Sequence, residues 1–228
     1  MSEIFKNACK KHHCFIIGNG SSLNSTDLDL LQKEYTFGLN GIAVIFPKTK
    51  WRPTFFVGVN YYFDKKYPNL YEPMMLAIEE ARHSFIWNEH APIRDDVTPM
   101  NCTLGHLSSE EIDLSCWSDN PIEWVGKPGT SSFVALQIAV WLGFNPIYLL
   151  GFDGNYKPEI NGDPNHIEGY PRPSTKPALD KYEEINLGHV KAHEIAKKIC
   201  DRKGIKIFNA TRNGHLNVYQ RILLEEVV

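Results

Sequence analysis

Residues 130–143, TSSFVALQIAVWLG, are apolar on nearly every side, and the chain then runs almost at once into PIYLLGFD at 146–153. A helix without a polar face has to be buried. A continuous apolar run that does not alternate has both of its faces covered, which marks a strand inside a parallel sheet. Thr130 and Ser131 open the helix and Gly143 stops it. The rest of the chain repeats the theme. HCFIIG (13–18), TFGLN (36–40), TFFVGVN (54–60), SFIWN (84–88) and IKIFNAT (205–211) read as strands. Helices are expected at 26–34 with Leu28, Leu30 and Leu31 inward, at 73–82 with Pro73 in the first turn, and at 186–204 with a glycine stop. Residues 89–128 read as loops with a hairpin. Residues 154–180 hold five prolines and three glycines and read as a long lid-like binding loop, since such length is uncommon in a compact domain without a use. The expected fold is α/β: a single Rossmann-like domain over 1–228, with a mostly parallel sheet and helices on both faces.

Composition narrows the function. The 228 residues are 43% hydrophobic and 22% charged, ordinary for a chain that buries a core. The net charge of −3 offers no basic surplus for phosphate backbones, so nucleic acid is not an expected partner. No apolar run reaches transmembrane length, and CFIIG is too short for a signal-peptide core, so a cytoplasmic location is expected. Cys9, Cys14, Cys102, Cys116 and Cys200 are scattered and form no CxxC pair, which argues against a disulfide framework or a zinc site. A homo-oligomer is compatible with this composition.

Candidate chemistry gathers at strand ends. The first strand runs into Gly18-Asn19-Gly20-Ser21-Ser22. Glycines there let a ligand approach the backbone, and the helix start beyond offers N–H groups to a phosphate; a strand-to-helix turn also carries glycine for geometry alone. Asn19, Asn40 and Asn60 each end a predicted strand, and Asp153 ends a fourth. Ligands of open parallel sheets bind at that edge, and asparagine suits base edges and sugar hydroxyls, although it also favours turns. Lys127-Pro128-Gly129-Thr130-Ser131-Ser132 opens the buried helix, where the hydroxyls either cap the helix or join the Lys127 ammonium in an anion site. In the long loop, His166 of DPNH is a candidate general base or metal ligand, with Tyr156 upstream. His189 and His193 lie four apart on the last helix, a spacing that can seat a metal but reads here as a solvated face.

The order GNGSSL, FGLN, GTSSFVALQIAVWLG before IYLLGFD, DPNH, and AHEIAKKICDRKGIKIFNAT resembles the 6-hydroxymethylpterin diphosphokinase MptE-like family over residues 13–222. That family is related to the glycosyltransferase family 42 bacterial sialyltransferases and to flagellin-modifying motility accessory factors. The sialyltransferase pattern implies nucleotide contacts at Asn19, Asn40, Asn60, Ser131, Ser132 and Asp153, and a phosphate contact at Tyr156. Lys127 stands near the place of an arginine in that pattern. Its catalytic histidine falls where this chain has KYEEIN, which leaves His166 or His189 as substitutes; His166 is preferred for its place in the loop.

Three readings follow. In the first, a nucleotide-sugar-dependent, inverting glycosyltransferase takes a CMP-linked donor and a glycan or small-molecule acceptor, with no cofactor. Asn19, Asn40 and Asp153 hold the nucleotide, Lys127, Ser131, Ser132 and Tyr156 stabilise the departing phosphate, and His166 takes the acceptor proton. In the second, a diphosphokinase transfers diphosphate from ATP to a hydroxymethyl pterin, with magnesium on Asp153 and Asp163. In the third, a nucleotide-binding module keeps the fold without the chemistry.

Overall fold

The computed structural model describes residues 5–59, 68–103, 107–159, 162–170 and 181–228. Its central sheet contains β1 (Cys14–Ile17), β2 (Thr36–Leu39), β3 (Phe55–Gly58), β4 (His83–Trp87), β5 (Val97–Met100), β8 (Ile147–Leu150), β9 (Ile207–Asn209) and β10 (Gln220–Arg221). The spatial order is β10-β9-β8-β1-β2-β3-β4-β5, and every pairing is parallel. In the register, Phe15 of β1 lies between Thr36 and Tyr148. Outside this sheet, β6 (Cys102–Thr103) and β7 (Val125–Gly126) form a parallel pair of their own. The helices are α1 (Ser25–Leu30), α2 (Pro68–Glu80), α3 (Ser131–Leu142) and α4 (Lys181–Arg202), with a 3-10 stretch at Asn40–Lys48.

Successive strand residues point to opposite faces, and the two faces fill two separate cores. Phe15, Ile17, Phe56, Ile86 and Leu150 meet Leu28 of α1 and Ala77 and Ile78 of α2. Ile16, Phe37, Val57 and Leu149 meet α3 and α4 on the other side. Helix α3 is buried almost all round, from Ser132 to Ala139 without interruption. At roughly 1.5–3 kcal/mol for each large apolar side chain taken from water, this helix alone anchors that layer.

The chain steps outward from β1 to β5, then returns to lay β8 against the other side of β1 and continues to β10. The C-terminal ends of β1 and β8 therefore flank the point where the winding reverses, the usual ligand crevice of an open parallel sheet.

Several local expectations need correction. Leu30 is 48% exposed, because α1 is a single short helix whose apolar side is spent on Leu28. Helix α2 begins at Pro68, so Pro73 lies within it. Helix α4 begins at Lys181, with Glu183 and Glu184 in a first turn where acidic groups complement the helix dipole. The segment 89–128 has no hairpin among its described residues. Its strand β5 adds in parallel at the sheet edge, where Pro99 is tolerated, and β6 pairs with β7 across a long connection. The 3-10 stretch and β10 have no counterpart in the sequence reading. Asn60 and residues 160–161 and 171–180 of the long loop lie outside the described residues. No described helix is long and apolar enough to cross a membrane.

Candidate functional site

A cavity of about 1070 Å³ opens at the C-terminal ends of β1 and β8. Gly18, Asn19, Gly20, Ser21, Asn40, Lys127, Thr130, Ser131, Ser132, Asp153, Tyr156 and His166 all line it. They come from the β1 turn, the end of β2, the start of α3 and the loop after β8, so the sheet topology gathers residues far apart in sequence. Asp163 borders the cavity through its contact with His166.

The geometric reading of the β1-turn glycines has a visible cause. A Cβ on Gly18 would sit 2.4 Å from the Gly151 carbonyl oxygen, and one on Gly20 would sit 2.7 Å from both Asp153 Oδ2 and that same carbonyl. The close approach is therefore to the end of β8. The turn also spends its amides within the protein: Gly18 N–H donates to Leu150, Gly20 N–H to Gly151, and Ser22 N–H to Asp153 Oδ2 at 3.0 Å. Beyond the turn, the start of α1 is capped by the Asn24 side chain, whose oxygen accepts from Asp27 N–H at 2.8 Å. Several of the amides expected to meet a phosphate thus have protein partners, while Gly18, Asn19, Gly20 and Ser21 still line the cavity. Asp153 likewise accepts from the hydroxyls of Ser21 (3.2 Å) and Ser22. It is a clasp between β8 and β1. Asn19 is different. Its Nδ2 donates to the Leu39 carbonyl at 2.9 Å, which leaves Oδ1 buried without a partner among the described residues.

At the start of α3, Thr130 holds the cap position with no side-chain capping bond. Its hydroxyl lies 2.8 Å from Ser132 Oγ, which in turn lies 3.0 Å from His193 Nε2. Asn40 Nδ2 donates to Ser131 Oγ at 2.9 Å, and Asn40 Oδ1 faces Val59 N–H at 3.4 Å. Asn40 adopts a left-handed backbone, φ +47°, a conformation its short polar side chain tolerates. Lys127 Nζ donates to the Val59 carbonyl at 2.6 Å. Burial pulls the Lys127 pKa down, against the nearby Cys102 thiol.

The loop after β8 is stapled in place. Asn186 of α4 exchanges two hydrogen bonds with the backbone of Tyr156, at 2.7 and 2.9 Å. Asn165 does the same with Lys157, at 2.7 and 2.8 Å. Ile167 N–H donates to the Asn19 carbonyl at 2.9 Å and ties the loop to the β1 turn. These clamps place His166 in an aromatic cluster. Its ring stacks on Tyr170 at 4.5 Å and meets the edge of Tyr156 at 5.6 Å. His166 Nδ1 lies 2.9 Å from Asp163 Oδ2. An ionised carboxylate only accepts, so the proton sits on Nδ1 and Nε2 is the bare nitrogen. Burial lowers the His166 pKa, and Asp163 and then Asp153 work against that shift.

His189 and His193 correct the solvated-face reading. Both line the cavity. Burial drives His189 down to about 4, opposed by a hydrogen bond to the Gly129 backbone, and its ring meets Tyr156 at 5.1 Å. His193 is 3% exposed and is pushed to about 3 by burial and then by His189. The i, i+4 spacing was visible, but α4 turns that face inward because Ala192, Ile195, Ala196 and Ile199 pack on the same side of the sheet. Tyr219, Asn165, Asn186 and Tyr170 were not anticipated as parts of the site. Asn165 sits inside DPNH, the one signal that could have exposed it.

No protein-family model and no curated protein matches this sequence. Solved structures share the fold. The MAf glycosyltransferase from Magnetospirillum magneticum matches 98% of this chain with a TM-score of 0.57 at 15% identity, and this chain spans 37% of the length of that protein. The sialyltransferase CstII from Campylobacter jejuni, in complex with cytidine-5'-monophosphate, matches 93% of this chain and 85% of its own, with a TM-score of 0.52 at 17% identity. The α-2,3-sialyltransferase Cst-I from the same organism has a TM-score of 0.53 at 18% identity and matches 93% of this chain and 81% of its own. At these identities the likeness is one of fold.

Proposed function

We propose that this protein is an inverting glycosyltransferase that takes a CMP-linked sugar donor and passes the sugar to a hydroxyl of a glycan or small acceptor. The observation that carries the reading is the carboxylate-backed imidazole of Asp163 and His166, on the same cavity as a helix start without a side-chain cap and Asn19, whose buried Oδ1 has no partner among the described residues. The glycosyltransferases that share the fold, one of them seen with CMP, support it.

The step balances with the residues present. His166 Nε2 accepts the acceptor hydroxyl proton as the acceptor oxygen forms its bond to the anomeric carbon. The bond from that carbon to the phosphate oxygen breaks on the opposite face, its electron pair leaves with CMP, and the configuration inverts. The growing phosphate charge faces the start of α3 and Tyr156, where the first-turn amides and the Ser131 hydroxyl stabilise it. Lys127, held on the Val59 carbonyl, contributes field from behind. Four histidines line the cavity, His166, His189, His193 and His215, and His166 makes a better base than either histidine of α4. A base works best with a pKa near the working pH, and His189 at about 4 and His193 at about 3 hold a proton too weakly.

The magnesium of the diphosphokinase reading fits the described residues poorly. Asp153 is engaged by Ser21 and Ser22, and Asp163 by His166 and by Asn165 N–H at 2.9 Å. Among the described residues, no three His, Cys, Asp or Glu side chains gather for a metal. A thermal-shift panel of CMP, CDP, UDP, GDP and ATP, each with and without magnesium, tests the proposal, because a ligand of the native state raises apparent stability. Stabilisation by CMP without magnesium is expected. Stabilisation by ATP only in the presence of magnesium would transfer the case to the diphosphokinase, and CMP binding without transfer of sugar from any CMP-linked donor would leave a binding module.

A further inference from the structure

The hydroxyls at the start of α3 are not interchangeable, and the protein fixes which way each one points. Tyr219 OH donates to the His193 carbonyl at 3.1 Å, so its proton is spent. The 3.0 Å contact between Tyr219 oxygen and His193 Nδ1 then requires Nδ1 to carry the ring proton. Nε2 of the neutral ring is bare and can only accept, so the Ser132 hydroxyl donates to it across 3.0 Å. The Ser132 oxygen in turn accepts from Thr130 at 2.8 Å. Both the Thr130 and the Ser132 protons therefore point into the protein. Ser131 is set the opposite way. Val59 N–H can only donate, so Asn40 presents Oδ1 to it and Nδ2 to Ser131. The Ser131 oxygen accepts, and its own proton is left for the cavity. Ser131 is half-buried on the cavity wall, whereas Ser132 is 1% exposed.

We propose that Ser131 is the one hydroxyl of the α3 start that donates to the anionic oxygen of the bound ligand, that Thr130 offers only an acceptor and so takes a ligand hydroxyl, and that Asn40, His193 and Tyr219 are positioning residues that hold this polarity. The proposal rests on the nucleotide-sugar reading for the identity of the ligand, but the polarity itself is a property of the free protein.

Two measurements test it on the full chain. Long-range ¹H–¹⁵N NMR of the ligand-free protein should find His193 protonated at Nδ1 and bare at Nε2. In Tyr219→Phe the Nδ1 proton loses its acceptor, so the ring should switch to the Nε2–H form. That switch reverses the wire and turns the Thr130 proton outward. The second measurement is the affinity for CMP divided by that for cytidine, which isolates the phosphate. Ser131→Ala should lower this ratio about tenfold, the worth of a hydrogen bond to a charged group. Ser132→Ala removes the acceptor that holds the Thr130 proton inward, so it should raise the ratio, as should Tyr219→Phe, whereas His193→Gln keeps an oxygen that can accept from Ser132 and should move both affinities by the same factor. An Nε2–H tautomer in the native protein, or a ratio lowered as much by Ser132→Ala as by Ser131→Ala, would overturn the proposal. If the native protein binds neither probe, the nucleotide reading falls, and the NMR result still decides the polarity.

Discussion

The pH dependence of turnover separates His166 from His189 and His193, three of the four histidines that line the cavity. Burial holds the His166 pKa below the ordinary 6.5 even though Asp163 and Asp153 oppose it. A general base works in its neutral form, which predominates above its pKa. Activity should therefore be level near neutrality and fade as acid protonates the ring, along an ascending limb that lies below 6.5. Asp163→Asn is the informative perturbation. It keeps an oxygen near His166 Nδ1, now 2.9 Å from the carboxylate, but removes the charge. A hydrogen bond to a charged group is worth about 1.5–3 kcal/mol against roughly 0.5–1.5 for a neutral one. The loss of about 1–1.5 kcal/mol from the imidazolium formed at the transition state slows turnover about tenfold. The same substitution removes an influence that raises the His166 pKa, so the limb moves to lower pH. His166→Ala should cost about a hundredfold or more with CMP affinity nearly intact. The assay is CMP release from a CMP-linked sialic acid across the pH range. A limb near 4 that vanishes in His189→Ala, or an Asp163→Asn limb that moves to higher pH, would refute the assignment of the base.

Other outcomes test the frame around the site. Asn19→Ala should weaken CMP binding by about 1–3 kcal/mol in calorimetry if the ligand supplies the donor that Asn19 Oδ1 lacks, and an unchanged affinity would make Asn19 a turn residue only. Gly20→Ala forces a Cβ to 2.7 Å from Asp153 Oδ2 and the Gly151 carbonyl and should cost about 1–3 kcal/mol in denaturant unfolding; a neutral result would mean that the β1 and β8 ends can part freely. Gln137→Leu strands the buried amides of Ser118 and Gly126, now 2.9 and 3.2 Å from Gln137 Oε1, and should cost about 2–4 kcal/mol, visible as a Tm lowered by several degrees.

The sheet was legible because its central strands are continuous apolar runs, and the place of the cavity followed from where those strands end. β1, β2, β3 and β8 are buried at every position, so no alternation competed with the parallel reading. Helix α3 stood out for the same reason. Where polar residues carry the structure, sequence patterning loses its grip. The clamps of Asn165 and Asn186 on the loop backbone leave no periodic trace, and they hold in place a segment that composition alone describes as open loop. Helix α4 misled because its polar composition suggested solvent, while His193 and Tyr219 satisfy each other inside it. The glycines at 18 and 20 were open to two causes, and the packing of the β1 turn on Gly151 and Asp153 accounts for them geometrically. One sequence cannot distinguish a glycine that admits a ligand from one that admits a neighbouring strand.

The residues expected to grip the ligand are mostly gripping one another, and this narrows the chemistry further than an open row of polar groups would. Asp153 is closed by two serines, Asn40 by Val59 and Ser131, and Ser132 by His193. Such mutual satisfaction avoids the penalty of unpaired buried polar atoms and fixes the groups before a ligand arrives, so little reorganisation is left for the binding step. Beside the acceptor at Thr130, three valences stay open on described residues that line the cavity: the acceptor at Asn19 Oδ1, the donor at Ser131, and the bare nitrogen at His166 Nε2. A ligand that completes all three must present an N–H or O–H donor, an anionic oxygen, and a hydroxyl proton to be removed. A nucleotide sugar with its acceptor carries that set, with the base or ribose at Asn19, the phosphate at Ser131 and the acceptor hydroxyl at His166. A free anion satisfies only the second.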